Sequence, residues 1–541
     1  MQAFAALLDR LILTPSRNGK IRFLVDYFHE TPDPARGWAL AAITRDLDIR
    51  GVKAGAIRRL IEERMDPVLF QLSYDYVGDM AETVSLCWPE RNTGANRSPP
   101  LDVVVEALLE ANRASGPALI AGWMDDLDAR GRWALIKIVT GGLRIGVSSR
   151  LAKVALADFG GVDVTEIEEI WHGLEPPYKS LFAWLDGSAD KPVPDMRAAF
   201  RPVMLAHPLV AKADRDNPDA IDPDLIRPET YAAEWKWDGI RVQASSEGGE
   251  RRLYTRTGDD ISHTFPDVVS AFDFEGVIDG ELLVRRPDGG TAPFNELQQR
   301  LNRKTVTKKQ MTERPAFIRA YDLLFDGEED LRRLDFRTRR HRLEAFIKAR
   351  ASDRLDLSQL VPVETVEQLD GLRNEPPESE IEGLMLKRWD SVYEAGRPKG
   401  PWYKWKRDPF LIDAVLMYAQ RGHGKRSSFH SDFTFGVWRK GEHGVELTPV
   451  GKAYFGFTDE ELKQLDKFVR DNTIERFGPV RSVTATPDEG LVLEVAFEGI
   501  HRSPRHKSGV AMRFPRINRI RWDKPTGEAD RLETLEAMIE G

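Results

Sequence analysis

The run Glu234-Trp235-Lys236-Trp237-Asp238-Gly239-Ile240-Arg241 constrains this chain more than any other stretch. In its plainest form it is a strand edge with a Lys–Asp pair and a turn glycine. The two tryptophans add something specific, because indoles beside an amine keep water away from it. Desolvation and a neighbouring cation both disfavour the ammonium form. A lysine so treated is a free amine near neutral pH and attacks carbon or phosphorus. Gly239 allows a tight turn or a close backbone approach, and Arg241 can hold a phosphate in its planar fork. In a chain this long a Lys-x-Asp-Gly-x-Arg match arises by chance on the order of one time in a hundred. Solvated strand lysines are common, so the rest of the chain has to supply companions.

At 541 residues there is room for about three or four domains, each with its own core. The net charge of −9 excludes a wholly basic nucleic-acid coat but leaves open a local positive face. Cys87 is the only cysteine, which excludes an internal disulfide framework and a Cys-rich zinc site and suits a reducing compartment. Asp9 and Arg10 come too early for a secretory signal, and no apolar run is long enough to span a bilayer, so a cytoplasmic protein is expected, nucleoid-associated in a prokaryote.

Residues 1–200 read as helical. Phe4, Leu7, Leu8, Leu11 and Ile12 recur at helical spacing, as do Leu101, Val105, Leu108 and Leu109. Pro89–Pro100 reads as a surface loop, with a glycosylation sequon at Asn96-Arg97-Ser98 that carries no meaning without a signal peptide. Ala134–Val147 reads as a helix ending at Gly141-Gly142, followed by Arg144 between small residues. A plain glycine cap accounts for it, and so does a phosphate site built from freed amides and an arginine. A polar linker with Pro218, Pro223 and Pro228 precedes a region, Tyr231 to Arg407, of short β-rich runs and a few helices, which predicts an α+β domain. No phosphate-binding Gly-x-x-x-x-Gly-Lys-Ser/Thr loop is present; Gly422-His423-Gly424-Lys425-Arg426 lacks its upstream glycine and its hydroxyl. From Asp408 onward, alternating stretches surround a helix with a Thr458/Glu461 capping box, which suits a small barrel such as an OB-fold. Leu532, Leu535, Met538 and Ile539 form a final amphipathic helix.

Companions to Lys236 appear in order: Arg256 in Tyr254–Gly258, Glu281 in Val277–Leu282, Tyr321 in Ala320–Gly327, Glu382 and Lys387 in Glu382-Gly383-Leu384-Met385-Leu386-Lys387, Arg397, then Lys404 and Lys406 in Trp402–Lys406. Arg513-Phe514-Pro515-Arg516 and Arg521-Trp522-Asp523-Lys524 end the series, within a basic run, His501–Lys524, whose sole acid is Asp523. Such a run points to polyanions. Its interleaved Phe514, Ile517, Ile520 and Trp522 make it read as structured. Taken together these strings resemble the motifs of ATP-dependent DNA ligases, a resemblance that covers almost the whole chain. The Leu143-Arg144-Ile145-Gly146 string and the opening Arg201-Pro202-Val203-Met204-Leu205-Ala206 are similar to segments of the same family.

The resemblance implies a multidomain chain: an all-α DNA-binding domain at 1–200, an α+β nucleotidyltransferase (adenylation) domain at 201–407 and a β-barrel OB-fold at 408–541. It implies that Lys236 attacks ATP to give a covalent lysyl-AMP, that AMP passes to a 5′-phosphate, and that a 3′-hydroxyl displaces it to seal a nick. By the same resemblance Glu234, Arg241, Arg256, Tyr321, Lys387 and Arg397 bind the nucleotide, with Tyr321 stacked on adenine and Lys387 acting at the α-phosphate. Glu281 binds the ribose and, with Glu382, Mg²⁺. Lys404 and Lys406 neutralise the triphosphate, while Arg513, Arg516 and Lys524 orient pyrophosphate. Arg144 contacts nicked duplex DNA, which a monomer encircles. The OB-fold is expected to reorient between steps. An RNA ligase or capping guanylyltransferase shares the nucleophile and is the alternative; a nick-binding protein without transferase activity is the rival from another class.

Overall fold

The computed structural model describes residues 1–90, 98–193, 197–209, 226–301, 303, 306–350, 352–422, 429–441 and 444–540. Most of the Pro89–Pro100 loop with Asn96 and Arg97 of its sequon, the linker prolines Pro218 and Pro223, and the His423–Arg426 part of the glycine string lie outside these residues. The chain divides into two compact units. One holds Val162–Leu174 and Asp190–Asp408; the other holds Met1–Gly161, Glu175–Ala189 and Pro409–Gly541.

Two sheets build the first unit. The five-stranded sheet runs in the order His207–Pro208, Trp402–Lys406, Ile381–Arg388, Tyr231–Trp237, Leu360–Val361. The six-stranded sheet has Glu250–Thr255, Ile240–Glu247, Gly276–Val284, Ala316–Asp326 and Glu329–Asp330 in line, with Leu355–Leu357 also pairing to Ala316–Asp326. The Lys236 strand and the strand after it therefore belong to different sheets, and Asp238-Gly239 carries the chain from one to the other. The crossing is tight: a Cβ at Gly239 would lie 2.6 Å from the Leu282 carbonyl oxygen. Val242, Leu253, Ile278, Leu282, Ile318, Leu323, Leu343 and Phe346 fill the core of the larger sheet. The segment Val162–Leu174 joins this unit through aromatic and ionic contacts. His172 packs 5.0 Å from Phe200 and 5.6 Å from Tyr254, and Glu169 pairs with Arg332 at 3.3 Å.

In the other unit, the N-terminal part is helical from Gln2–Leu13 to Lys179–Leu185. Phe4, Leu7, Leu8 and Leu11 of the first helix are buried, as are Leu101, Val105 and Leu108 of helix Leu101–Glu110, whose Leu109 faces outward. Helix Ala129–Thr140 closes with the Gly142 amide donating to the Lys137 carbonyl at 3.2 Å, a glycine cap of the expected kind.

The C-terminal part of that unit is a curled sheet around strand Phe410–Arg421, which pairs antiparallel with His430–Gly441, Val480–Val483 and Val492–Phe497. Thr458 and Glu461 cap helix Asp459–Asp471 reciprocally, and its Leu462, Leu465 and Val469 enter the core beside Phe433, Phe435 and Val495. Leu535 anchors the last helix, Leu532–Glu540. Among the described residues no helix is long and apolar enough to cross a membrane.

Candidate active site

Side chains alternate along a strand, so register decides what shares a face. Glu234 and Lys236 share theirs with Gly383, Met385 and Lys387 on one neighbouring strand, and these with Trp402, Lys404 and Lys406 on the next. Trp235 points the other way, into a cluster with Leu384, Leu386, Tyr403 and Trp405. Trp237 lies under the Arg319 guanidinium, 4.1 Å from its ring centroid. The indoles thus do not sheathe the amine as their adjacency in sequence suggests, because alternation sends them off its face. A carboxylate meets it instead: Lys236 donates to Glu382.

Glu382 also faces Lys406, 3.6 Å away. Burial works against its charge, but Lys236 and Lys406 outweigh burial and hold its pKa below the ordinary carboxylate value. Glu281 behaves oppositely. Burial pushes its pKa up to about 7 against the pull of Lys236 and Arg241, with Glu382 adding to the rise. Burial lowers Lys404 to about 8, aided by repulsion from Lys236, Lys406, Arg397 and Arg256. Those four cations therefore stand within electrostatic reach of Lys404, and one of them, Lys236, is also within reach of both carboxylates, so a basic face with two acids beside it forms here. Such a face suits a polyphosphate. The carboxylates fit a cation that takes one or two protein ligands and completes its shell from phosphate and water. Among the described residues no group of three or more His, Cys, Asp or Glu side chains could hold a metal by itself.

A second group lies deeper. Arg241, expected to offer its fork to phosphate, spends it on the protein: it donates to the Met204 carbonyl at 2.5 Å, to Asp279 at 2.6 Å and to the Tyr393 hydroxyl at 3.1 Å. Lys387, expected at the α-phosphate, is 1 % exposed and pairs with Glu234 at 2.8 Å. Its ammonium lies 4.4 Å from the Tyr321 ring centroid and 4.7 Å from that of Trp402, and burial lowers its pKa although Glu234 opposes this. Asp279 and Tyr393 were not singled out by sequence. Asp279 had a signal, since it stands two residues before Glu281 on one strand; Tyr393 had none.

Arg144, Arg513, Arg516 and Lys524 belong to the other unit. Arg144 is exposed between buried Leu143 and Ile145, and the buried Lys20 ammonium fixes this loop by donating to the Ile145 and Gly146 carbonyls at 2.9 and 3.0 Å. Lys524 donates to Asp413 at 2.7 Å. In the basic run Ile517 and Ile520 are buried as expected, whereas Phe514 is 57 % and Trp522 is 53 % exposed.

Residues 1–157 match the family model described as DNA ligase N terminus, 210–406 match ATP dependent DNA ligase domain, and 426–524 match ATP dependent DNA ligase C terminal region. The chain belongs to the ATP-dependent DNA ligase family. A probable DNA ligase of Koribacter versatilis is 33% identical over 430 residues, covering 75% of this chain and 71% of that protein. A DNA ligase of Thermococcus onnurineus is 27% identical over 563 residues, covering 99% of this chain and 96% of that one. The solved structure titled Pmar-Lig_PreS3 has the same fold, with a TM-score of 0.58 and 16% identity over 96% of this chain and 99% of its own. The helical region, the Lys236 unit and the C-terminal curled sheet are thus the three parts of an ATP-dependent ligase, and the protein is an enzyme of that class.

Proposed function

We propose that this ligase seals 5′-phosphate/3′-hydroxyl nicks in duplex DNA through an AMP carried on Lys236. The observation behind the reading is the Lys236–Glu382 pair on a face shared with Lys404 and Lys406. The amine attacks the α-phosphorus as a free base, a nitrogen–phosphorus bond forms, and the bond to pyrophosphate breaks. Glu382 aims the amine before attack. Lys404, Lys406, Arg256 and Arg397 offset phosphate charge, so that catalysis is positioning plus electrostatics. Glu281 and Glu382 are the ligands proposed for Mg²⁺, which neutralises charge on the transferring phosphate when bound. Tyr321 offers its ring to adenine, backed by Glu234 and Lys387, and Arg241 braces the ribose side through Asp279. Arg513, Arg516 and Lys524 supply charge toward pyrophosphate, and Arg144 contacts DNA phosphate. The AMP then moves to the 5′-phosphate of the nick, and the 3′-hydroxyl displaces it.

Intact-mass and peptide mapping after incubation with ATP and magnesium test the first step. An adenylate on Lys236 is expected, and none on Lys236→Arg, whose guanidinium does not deprotonate. Label on that variant, or at another residue of the wild type, overturns the assignment. Nicked DNA and nicked RNA offered in parallel, with ATP or GTP, separate DNA sealing from RNA ligase and capping chemistry.

A further inference from the structure

Helix Phe336–Lys348 carries two consecutive arginines that reach into different sheets. Arg339 forks onto Asp322 of the six-stranded sheet at 2.9 and 3.0 Å, with both side chains 0% exposed. Asp322 follows Tyr321 in the chain. Arg340 reaches the five-stranded sheet and donates to Glu234 Oε1 at 3.1 Å, to the Ser358 carbonyl at 2.7 Å and to Glu344 at 2.7 Å. The other oxygen of Glu234 is held by Lys387, whose ammonium also donates to the Tyr321 carbonyl at 3.2 Å. A buried carboxylate between two buried cations is a weak source of stability, since desolvation offsets most of the attraction. What such an arrangement does secure is the direction of the carboxylate, since each oxygen has its own partner.

We propose that Arg340 is a positioning residue for recognition of the nucleotide base, acting through Glu234. This rests on the reading of the Glu234–Tyr321 face as the base pocket. An ionised carboxylate only accepts hydrogen bonds. It suits a base edge that donates, such as the 6-amino group of adenine, and opposes one that accepts, such as the 6-oxo group of guanine. Arg340 fixes one oxygen and Lys387 the other. Without Arg340 the carboxylate keeps one partner and turns about its side-chain bonds, and the acceptor edge is no longer aimed. Arg339, the preceding residue of the helix, holds Asp322, the chain neighbour of Tyr321.

The test measures self-adenylylation of the full chain with ATP and with purine riboside triphosphate, which lacks the 6-amino group. Arg340→Met is expected to raise KM for ATP about tenfold while moving that of the purine analogue about twofold or less, with the maximal rate nearly kept. In a Glu234→Gln background, Arg340→Met is expected to change the ATP-to-analogue preference no further. Arg340→Lys keeps the charge but cannot span Glu234, Ser358 and Glu344 together, so it is expected to recover part of the preference and carries the test if the methionine variant does not fold. Equal losses for both nucleotides, or an undiminished effect of Arg340→Met in the Glu234→Gln background, overturn the proposal. If Glu234→Gln alone leaves the preference unchanged, the base-pocket reading has failed, and the proposal with it. If Glu234→Gln abolishes the preference while both Arg340 variants retain it, only the role of Arg340 has failed.

Discussion

Glu281 and Glu382 both interact with the Lys236 amine, and the fold drives their protons in opposite directions. Glu382 has its folded pKa lowered, so its contribution is present above the ordinary carboxylate value and is lost as acidity takes the pH down through the folded one. Glu281 rises from 4.5 to about 7, so the folded state holds its proton more tightly than the unfolded chain does. Its contribution is therefore complete below pH 4.5 and fades as pH climbs to about 7. Removing that charge should stabilise the nucleotide-free protein at neutral pH. Glu281→Gln is expected to add on the order of 2 kcal/mol near pH 8, a value discounted because the side chain keeps some contact with water. It should also flatten the fall in stability between about pH 5 and 7. Denaturant midpoints across that range check it, and an unchanged slope would show that Glu281 does not titrate there. Sequence marked both carboxylates as part of the site. That they carry opposite shifts depends on whether the cations packed against each outweigh its burial, which no motif spells out.

At the scale of elements, what was legible in the sequence is what is local. The Thr458–Glu461 capping box and the glycine cap after Thr140 join residues a few positions apart, so residue types alone announce them. The pairs that shape the Lys236 site and the Arg144 loop are of another kind. Glu234 and Arg340 are 106 positions apart, and Lys20 and Ile145 are 125 apart. No periodicity links such partners; only the register of the sheets and the packing of helices brings them together. Strand alternation did contain a warning about Trp235 and Trp237, which flank Lys236 in sequence and so leave its face in a strand. The strand that presents Glu382 offers a test at this scale. Gly383 has φ of 140°, a region open essentially to glycine, and a Cβ there would run into the Trp405 carbonyl of the adjoining strand. Gly383→Ala must part the strands where Glu382 and Lys406 meet Lys236. Thermal melting is expected to show a loss of about 2–4 kcal/mol, and labelling of Lys236 should fail well below the new melting temperature. Wild-type labelling in that variant would mean the spacing of these strands does not matter to the amine.

For the whole molecule, acidity and DNA binding are reconciled by local charge rather than by the total. The chain carries −9 overall, yet gathers Arg502, Arg505, Lys507, Arg513, Arg516 and Arg519 within one C-terminal stretch and presents Arg144 from a pinned loop of its helical region. Lys236 and Arg144 belong to different compact units, so their contributions should separate by assay. Arg144→Ala is expected to weaken nick binding and to reduce the slope of log affinity against log salt by about one, because one phosphate contact releases about one counterion. Adenylylation of Lys236 without DNA should proceed as in wild type. Lys20→Met is the informative companion. It leaves Arg144 in place but removes both hydrogen bonds that fix the Ile145 and Gly146 carbonyls, so affinity should fall because the arginine is poorly held rather than missing. Titration of a nicked duplex at several salt concentrations distinguishes the outcomes. A slope unchanged by Arg144→Ala would show that this side chain does not touch phosphate, and equal affinity for Lys20→Met would show that the loop holds its shape without the buried ammonium. A loss of lysyl-AMP in either variant would mean that the two units are coupled before DNA arrives.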